Sequence, residues 1–328
     1  MKAIIPVAGI GSRLRPFTHT TPKALLHVAG KPVLGHILDS LAGCGVDEVV
    51  LVVGYLGEKI VRYVRERTNF KVTVVEQEDR RGLGHAVWLA RTAFGEAPEP
   101  ALIVLGDSII TCDAAGVVAG GVSTLAVKAV ADPKRYGVVQ LDGERIVRLV
   151  EKPSEPPSDL AVCGFYYLAR AQALFAALER VIASGRTTRG EIQLTDALQV
   201  LIDQGEALRA CRASAWLDCG SPEVLLEANR QLLDAAGPGA FAPRAGVVLI
   251  PPVSVAPSAR LADCVIGPYV SVADHAVIER AVVRSSIISA GAHVQDALLA
   301  DSIIGEQAGV SGHYARLNVG DSSWVRPA

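Results

Sequence analysis

Residues 2–16 read KAIIPVAGIGSRLRP, an apolar segment that runs directly into a turn with two glycines. The apolar residues predict a buried strand, and Gly9 and Gly11 allow the backbone after it to approach an anion closely with its N–H groups exposed. Arg13 follows the turn, and Lys23 comes ten residues later. Because guanidinium and ammonium groups supply the positive charge that a polyphosphate requires, this opening predicts a nucleoside triphosphate site.

The composition of the chain limits the classes of protein to which it can belong. Its 328 residues exceed a typical single domain, half of them are hydrophobic, and the formal net charge is −2. A nearly neutral chain gives no general reason to expect a nucleic acid or a membrane as a partner. The sequence shows neither a membrane-spanning apolar run nor the apolar region of a signal peptide, so we expect a cytoplasmic protein of two domains. Its six cysteines include no Cys-x-x-Cys pair, and we expect them to be core residues.

Strand and helix patterns alternate over the first two-thirds of the chain. Short apolar strands are predicted at residues 3–7, 48–53, 72–77 and 101–105. Helical patterns between them predict an α/β domain with a mostly parallel sheet, in which ligands bind beyond the carboxyl ends of the strands. Gly9, Gln77 and Asp107 fall at or just past three of these ends, so we expect them to share one rim of the sheet.

The pattern changes twice further along the chain. From about residue 123, four more strands are predicted, together with helices at 171–184, 191–204 and 222–235, and we expect them to complete the same domain. A break at Gly237-Pro238-Gly239 is followed by aliphatic residues in sets at six-residue steps, with ten-residue jumps between the sets: Ile266, Val272, Ile278, Ile288, Val294, Ile304 and Val310. A hexapeptide repeat predicts a small parallel β-helix with a stacked aliphatic core, and a β-sandwich is the alternative. We therefore expect a first domain at 1–236, a linker at 237–245, a β-helix at 246–313 and a cap or tail at 314–328.

The glycine turn alone is weak evidence for any particular nucleotide-binding motif. A dinucleotide-binding fingerprint would place a third glycine where this chain has Leu14, and it would place an acidic residue after the second strand, which here ends in Gly54. A P-loop would require Gly-Lys followed by Ser or Thr, which is also absent. The residues that follow the turn therefore carry the interpretation.

With these residues included, the sequence resembles the sugar-1-phosphate nucleotidylyltransferases. The family opens with Gly-x-Gly-Thr/Ser-Arg, then Pro, then Pro-Lys, which is matched here by Gly9, Gly11, Ser12, Arg13, Pro16, Pro22 and Lys23. The resemblance covers nearly the whole chain and is strongest to the long-form glucose-1-phosphate thymidylyltransferases. It implies a Rossmann-like nucleotidyltransferase domain with a mostly parallel sheet, followed by a small left-handed parallel β-helix.

The resemblance implies a nucleotide half of the site. Its nucleotide-binding residues would be Ala8, Gly9, Gly11, Ser12, Gln77 and Gly82. Residues 82–86, GLGHA, resemble the family's base-reading segment, where a glutamine amide and a glycine backbone group bind a pyrimidine. An amide can donate and accept at once, as a pyrimidine edge requires. Arg13 and Lys23 are implied to bind the triphosphate and the leaving pyrophosphate.

The resemblance also implies a sugar-phosphate half and a metal site. The sugar-phosphate residues would be Gly137, Glu151, Lys152 and Gly164. Lys152 is implied to bind the phosphate of the sugar 1-phosphate as a catalytic residue, and Glu151 to accept hydrogen bonds from sugar hydroxyls. The strings at 105–107 and 216–220 resemble segments whose aspartates bind Mg²⁺, which makes Asp107 and Asp218 the implied ligands.

The implied reaction is an in-line displacement at the α-phosphorus of a pyrimidine nucleoside triphosphate. A phosphate oxygen of the sugar 1-phosphate attacks and pyrophosphate leaves, so the nucleophile is already anionic and needs no general base. The first choice of substrates is dTTP with glucose 1-phosphate. Ile10 and the string at 82–86 are closer to the bacterial UDP-glucose pyrophosphorylases, which keeps UTP and other nucleotide sugars as alternatives.

Two other functions are weighed against this one. The first is a catalytically silent subunit that binds a sugar nucleotide and regulates a partner. The second is an added acyltransferase activity in the β-helix, with His275, His293 and His313 as candidate bases. We expect the β-helix instead to serve capping and oligomerisation, so the expected partners are a nucleoside triphosphate, a sugar 1-phosphate and further copies of the chain.

Overall fold

The structure is a computed structural model that describes residues 1–239 and 244–312. These residues form two compact units. The first unit holds residues 1–26 and 31–225, and the second holds residues 27–30 with the described residues from 226 onward. Within these ranges, no helix is both long enough and apolar enough to span a membrane. The predicted boundaries at 236, 245 and 313 stay predictions, and the predicted cap at 314–328 and His313 lie outside the described residues.

The first unit follows the predicted alternation of strands and helices. Its strands are β1 (Lys2–Val7), β2 (Glu48–Val53), β3 (Lys71–Glu76), β4 (Ala101–Val104), β5 (Ser108–Thr111), β6 (Thr124–Ala129), β7 (Gly137–Asp142), β8 (Arg145–Glu151), β9 (Leu160–Leu168), β10 (Arg209–Arg212) and β11 (Ala215–Asp218). The helices of the chain are α1 (Val33–Ser40), α2 (Gly57–Arg67), α3 (Leu83–Leu89), α4 (Ala114–Ala119), α5 (Ala171–Ala183), α6 (Leu194–Asp203) and α7 (Pro222–Ala236).

Nine of these strands form one sheet in the described part of the chain, in the order β3-β2-β1-β4-β9-β6-β10-β8-β7. β1 pairs in parallel with β2 and β4, and β2 pairs in parallel with β3. β9 and β8 run antiparallel to their neighbours, while the other seven strands share one direction. The predicted α/β domain with a mostly parallel sheet is therefore confirmed, and the middle region adds its strands to the same sheet.

The sequence of the central strands explains this arrangement. All six residues of β2, which read EVVLVV, are buried, as expected for a parallel strand with both faces covered. Ile4, Val50 and Ile103 belong to a core in which they pack with residues of α5 and α6 such as Leu178 and Leu198. Because β1, β3 and β4 run in the same direction, the residues after them lie on one rim of the sheet.

The second unit contains the predicted parallel β-helix, which the three sheets of four parallel strands confirm. The first sheet comprises Val247–Leu249, Cys264–Ile266, Val282–Arg284 and Leu298–Ala300. The second comprises Val253–Val255, Val270–Val272, Ile287–Ile288 and Ile303–Ile304. The third comprises Arg260–Ala262, Val277–Glu279, His293–Gln295 and Gly309–Ser311.

The β-helix also explains the ten-residue jumps in the repeat. Register pairs Ile266 with Val283 and places Leu299 above Val283, so these residues belong to the same inward-facing column. Val283 follows Ile278 by five residues and Ile288 follows Val283 by five. Each jump is thus two five-residue sides of the coil, and the regular six-residue count misses the residue between them.

Four of the six cysteines are core residues, as predicted. All six are free thiols. Cys44, Cys163, Cys219 and Cys264 are buried, and Cys112 and Cys211 are half-buried. Burial raises the pKa of the Cys219 thiol to about 12, so this thiol stays protonated and unreactive at neutral pH.

We expect Ile278→Ala to lower the free energy of unfolding by about 2–5 kcal/mol, because it opens a cavity in the β-helix core. Ile278 is completely buried there. The exposed residue Gln295 lies in the same sheet, and Gln295→Ala should change the free energy by less than about 0.5 kcal/mol. Urea unfolding followed by circular dichroism measures both. Equal effects of the two substitutions would contradict the assignment of the core.

Candidate active site

The turn after β1 needs its glycines for two different reasons. Gly11 has a φ of 71°, and a Cβ atom there would lie 3.1 Å from both the Lys23 Cβ and the Thr18 Cγ2 atoms. The Thr18 hydroxyl donates a hydrogen bond of 2.9 Å to the Gly11 carbonyl and closes the turn. Gly9 is exposed, with no atom within 4 Å of the position of a Cβ, so its backbone is open to a ligand.

A first cavity of about 360 Å³ opens beside this turn. Five residues predicted for the nucleotide half line it, namely Ala8, Gly9, Lys23, Gln77 and Gly82. Arg80, Asp107 and Glu191 also line it. The structure therefore brings together residues that follow β1, β3 and β4, as the rule for parallel sheets predicts.

A second cavity of about 490 Å³ shares Asp107 and Glu191 with the first. It is lined by six residues of the predicted site, namely Arg13, Asp107, Gly137, Glu151, Lys152 and Asp218. The two cavities adjoin, and Asp107 lies at their junction. Groups predicted to bind nucleotide and sugar phosphate therefore meet where the reacting atoms of two substrates would have to meet.

Backbone pairing brings the two predicted metal ligands together. β5 and β11 pair in antiparallel register, with Ser108 opposite Asp218. The backbone N–H of Cys219 donates a hydrogen bond of 3.0 Å to the carbonyl of Asp107. Asp107 and Asp218 are separated by more than a hundred residues in sequence, yet this strand pair fixes them next to each other.

Cations surround the two carboxylates. Lys23 Nζ donates to Asp107 Oδ2 at 2.5 Å, and the side chain of Lys23 is largely buried. A Cβ atom on Gly220 would lie 2.9 Å from a guanidinium nitrogen of Arg13 and 3.1 Å from Asp218 Oδ1. The missing side chain of Gly220 therefore leaves room for Arg13 beside Asp218.

The electrostatics of this junction show in the pKa of Asp218. Burial raises the pKa of its carboxyl group, and the negative charge of Asp107 raises it further. Three cations lower it, namely Lys23, Arg13 and Arg135. The net effect is a raised pKa, so the charged pair of carboxylates is under repulsive stress that an added cation would relieve.

The end of β8 builds the predicted sugar-phosphate half. Lys152 takes a left-handed conformation with a φ of 43°, and its Nζ lies 3.2 Å from Glu151 Oε1. Thr195 Oγ1 donates a hydrogen bond of 2.9 Å to Glu151 Oε2. Gly137 pairs with Glu151 across the β7–β8 ladder, and a Cβ there would lie 2.6 Å from Thr195 Cγ2. The carboxylate of Glu151 is thus held in place at the cavity wall.

Gly82 and Gly84 lie directly against the backbone of residues 192–193. A Cβ on Gly82 would lie 2.6 Å from the carbonyl of Ile192, and one on Gly84 would lie 2.9 Å from the backbone of Gln193. Gly84 N–H donates to the Ile192 carbonyl at 2.8 Å, and Ile192 N–H donates to the Arg81 backbone carbonyl at 2.7 Å. Only glycine allows the two backbones to come this close.

These backbone contacts explain why the predicted start of one helix is wrong. The helical pattern predicts a helix from Glu191, but α6 begins at Leu194. The backbone of residues 188–193 instead makes the hydrogen bonds to Arg81 and Gly84 and a β-bridge between Thr188 and Glu191. Glu191 therefore lines both cavities from a loop.

Three predicted residues do not line either cavity. Gly11 and Ser12 form the turn that orients the following segment. Gly164, with a φ of 99°, lies under Leu105, and a Cβ there would come within 2.8 Å of that side chain. Its carbonyl accepts a hydrogen bond of 2.9 Å from the Leu105 N–H.

Several residues that line the second cavity have no predicted role, namely Arg135, Tyr166, Arg189, Glu191, Gln193 and Thr195. Arg135 stands two residues before the predicted sugar-phosphate residue Gly137, and this proximity was the available signal for Arg135. Tyr166 lies on β9, while Arg189, Glu191 and Gln193 lie on a loop. Thr195 lies in the first turn of α6, and no local pattern indicates that this turn and the loop before it approach the sheet.

A model of the nucleotidyl transferase family matches residues 2–235, so this chain belongs to that family of enzymes. A glucose-1-phosphate thymidylyltransferase of Streptomyces griseus is 32% identical over 360 residues, covering 98% of this chain and 98% of that protein. The UTP–glucose-1-phosphate uridylyltransferase AglF of Haloferax volcanii is 36% identical over 242 residues, covering 71% of this chain and 96% of AglF. A crystal structure of UDP-glucose pyrophosphorylase complexed with UDP-glucose matches with a TM-score of 0.60 and 26% identity, covering 71% of this chain and 98% of that chain.

We expect Asp218→Asn to raise the free energy of unfolding at pH 8 in the presence of a chelator. Because the folded-state pKa of Asp218 is raised, ionisation of this group destabilises the fold above that pKa. The destabilisation fades as the pH falls through the raised pKa and is absent below the ordinary value of 3.8. Thermal unfolding of both proteins between pH 8 and pH 4 measures the difference. The exposed Asp142 provides the control, because a surface substitution such as Asp142→Asn should change the free energy of unfolding by less than about 0.5 kcal/mol.

Proposed function

We propose that this protein transfers a nucleotidyl group from a pyrimidine nucleoside triphosphate to a sugar 1-phosphate and releases pyrophosphate. The observation that carries the proposal is the junction of the two cavities, with Asp107 and Asp218 between the cations Arg13 and Lys23 and the sugar-phosphate residue Lys152. The best choice of substrates is dTTP and glucose 1-phosphate, which would give dTDP-glucose. The full-length similarity to a glucose-1-phosphate thymidylyltransferase supports this choice.

The residues act by position and charge. The nucleoside triphosphate lies in the first cavity, where Ala8, Gly9, Gln77 and Gly82 offer hydrogen-bonding groups. Lys152 orients the attacking phosphate of the sugar 1-phosphate in the second cavity. Arg13 and Lys23 stabilise the charge that develops on the leaving pyrophosphate. Because the nucleophile is an anion, the barrier is lowered by bringing like charges together among cations rather than by removing a proton.

A divalent cation fits the donor set. Burial and the charge of Asp107 raise the pKa of Asp218, and a cation held by both carboxylates would offset the repulsion between them. Within residues 1–239 and 244–312, no group of three or more His, Cys, Asp or Glu side chains is placed to hold a metal ion. A cation here would take its other ligands from phosphate and water, which suits Mg²⁺. When bound, Mg²⁺ would neutralise phosphate charge, and Asp107 and Asp218 would hold it.

Separate observations support UTP as the alternative nucleotide substrate. AglF, named a UTP–glucose-1-phosphate uridylyltransferase, and the structure of UDP-glucose pyrophosphorylase with UDP-glucose both resemble the first unit. A pocket contact to the thymine methyl is worth only about 1 kcal/mol, so UTP is the alternative to dTTP. A silent regulatory subunit is disfavoured, because the chain keeps both aspartates and all three cations around the junction.

The substrates can be tested with a matrix of pyrophosphate release. We expect release with dTTP or UTP and a hexose 1-phosphate in the presence of Mg²⁺, and none with a chelator. The matrix combines dTTP, UTP, GTP, CTP and ATP with the 1-phosphates of glucose, galactose, mannose and N-acetylglucosamine. Absence of release in every combination would favour the silent subunit instead.

Variants separate the roles within the same assay. Arg13→Ala should lower kcat about a hundredfold, because it removes a contact to developing charge. Lys152→Ala should mainly raise the KM for the sugar phosphate. The exposed Arg67 supplies a matched control that removes a surface charge, and Arg67→Ala should retain activity. Nearly normal activity in both site variants would reject the assignment.

We also propose that the chain forms a homo-oligomer through the β-helix. In the first sheet, Val248, Val265, Val282 and Leu298 pair in register and form an apolar column, in which Leu298 is 75% exposed. The third sheet differs from the first, because the polar residues Arg260 and His293 occupy exposed positions there. Exposed apolar columns of this kind are typical of interfaces.

The oligomer is tested by molar mass in solution. Sedimentation should give a multiple of the chain mass of 34.4 kDa, and the double substitution Val282→Asp with Leu298→Asp should give the single-chain mass. Circular dichroism controls for folding of the variant. A single-chain mass for the unaltered protein, or an unchanged oligomer in the folded variant, would contradict this interface.

A further inference from the structure

The side chain of Gln77 is held by two partners at the wall of the first cavity. Its residue is only 6% exposed, and its backbone N–H donates to the Val53 carbonyl at 2.8 Å. The side-chain Nε2 lies 3.2 Å from the Gly82 carbonyl oxygen and 3.3 Å from His85 Nδ1. Both contacts involve the same end of the amide.

The chemistry of these partners fixes which way the amide faces. A carbonyl oxygen can only accept, so the –NH₂ end of Gln77 must face Gly82. The same end then faces His85, so Nδ1 must carry a lone pair and accept the second N–H. A reversed amide would place its oxygen against the Gly82 carbonyl oxygen, which has no proton to donate. Both donors of the amide are therefore used inside the protein, so the amide can offer a base only its oxygen and not the donor that was expected as well.

The oxygen of the amide is left for a ligand. Among the described residues, no donor pairs with Gln77 Oε1, and this atom is not one of the buried polar atoms that lack a partner. It therefore retains contact with solvent on a residue that lines the cavity. A hydrogen-bond acceptor presented in this way favours a ligand that carries an N–H or O–H group.

We propose that His85 is a positioning residue that fixes the Gln77 amide with its oxygen toward the nucleobase, so that the site selects uracil and thymine over cytosine. The inference rests on the proposed function, since it concerns the pyrimidine that the first cavity would hold. Uracil and thymine carry a hydrogen on ring nitrogen N3 and can donate it to Oε1. Cytosine has a lone pair on N3, which would face the oxygen of the amide without a proton between them.

The surroundings of His85 keep its ring in the accepting form. The residue is 7% exposed, and its ring stacks on Trp88 with 5.8 Å between centroids. Burial lowers the pKa of the imidazole, and the charges of Arg81 and Arg91 also lower it. The backbone and the charge of Asp79 act in the opposite direction, but the net shift is downward. The ring is therefore neutral at neutral pH, and only acid would put a proton on Nδ1 opposite the Gln77 N–H.

Base selectivity provides the test. The measured quantity is kcat/KM for dTTP, UTP and CTP with a single sugar 1-phosphate, taken as the ratio of the better of dTTP and UTP to CTP. We expect His85→Leu, which removes the acceptor, to reduce this ratio about tenfold. His85→Asn should keep the ratio within about threefold of the unaltered protein, because an Asn oxygen can replace Nδ1 as the acceptor. Trp88→Phe is the packing control and should leave the ratio unchanged.

The pH dependence of the same ratio adds a readout that a packing role would not change. The ratio should be constant above pH 6.5 and fall in acid for the unaltered protein, while His85→Asn should show no such fall. Equal losses in His85→Leu and His85→Asn, or an unchanged ratio in His85→Leu, would overturn the inference while leaving nucleotidyl transfer intact. Calorimetric binding of UTP and CTP gives the same comparison without turnover. Failure of the unaltered protein to use any pyrimidine triphosphate would instead refute the proposed function.

Discussion

The close approach of two carboxylates is the constraint on which the rest of the site depends. Asp107 and Asp218 are held together by the β5–β11 ladder, and burial with mutual repulsion raises the pKa of Asp218. Such a pair is tolerable only where cations are near, and Arg13 and Lys23 are drawn to this point from the turn after β1. The repulsion between these charges is costly by itself, and the same charges make the junction suited to phosphate groups and a divalent cation.

Glycine residues provide the space for close contacts at several points of the site. Gly106 follows β4, and a Cβ there would lie 2.2 Å from Val7 Cγ1, so no other residue fits between the strand end and the junction. Gly82 and Gly84 allow the loop with Glu191 to approach the base-binding segment. Gly220 leaves the space that Arg13 occupies. Glycine therefore shapes the cavity at points where any side chain would fill it.

The sequence predicted much of the fold because the signals were local. Short apolar runs located the strands of the sheet to within a few residues, and the bounds of β2 agree with the prediction. The six-residue repeat located the β-helix but missed Val283 and Leu299, because the steps before and after each of these two residues are one residue shorter. The helix predicted from Glu191 began three residues late, because tertiary backbone contacts at Gly84 compete with the first turn of the helix.

The sequence by itself determined the class of fold, the family and the residue types available for phosphate and metal binding, since these are written in periodicity and in contiguous motifs. Only the tertiary structure decided that Lys23 pairs with Asp107, that Thr195 holds Glu151, and that His85 directs the amide of Gln77. Two of these pairs, Lys23 with Asp107 and Thr195 with Glu151, join positions far apart along the chain. Gln77 and His85 are close in sequence, but the role of their contact depends on the orientation of the amide in the folded cavity. The geometry of such contacts arises when the strands pair and the loops pack, and no local pattern contains that information.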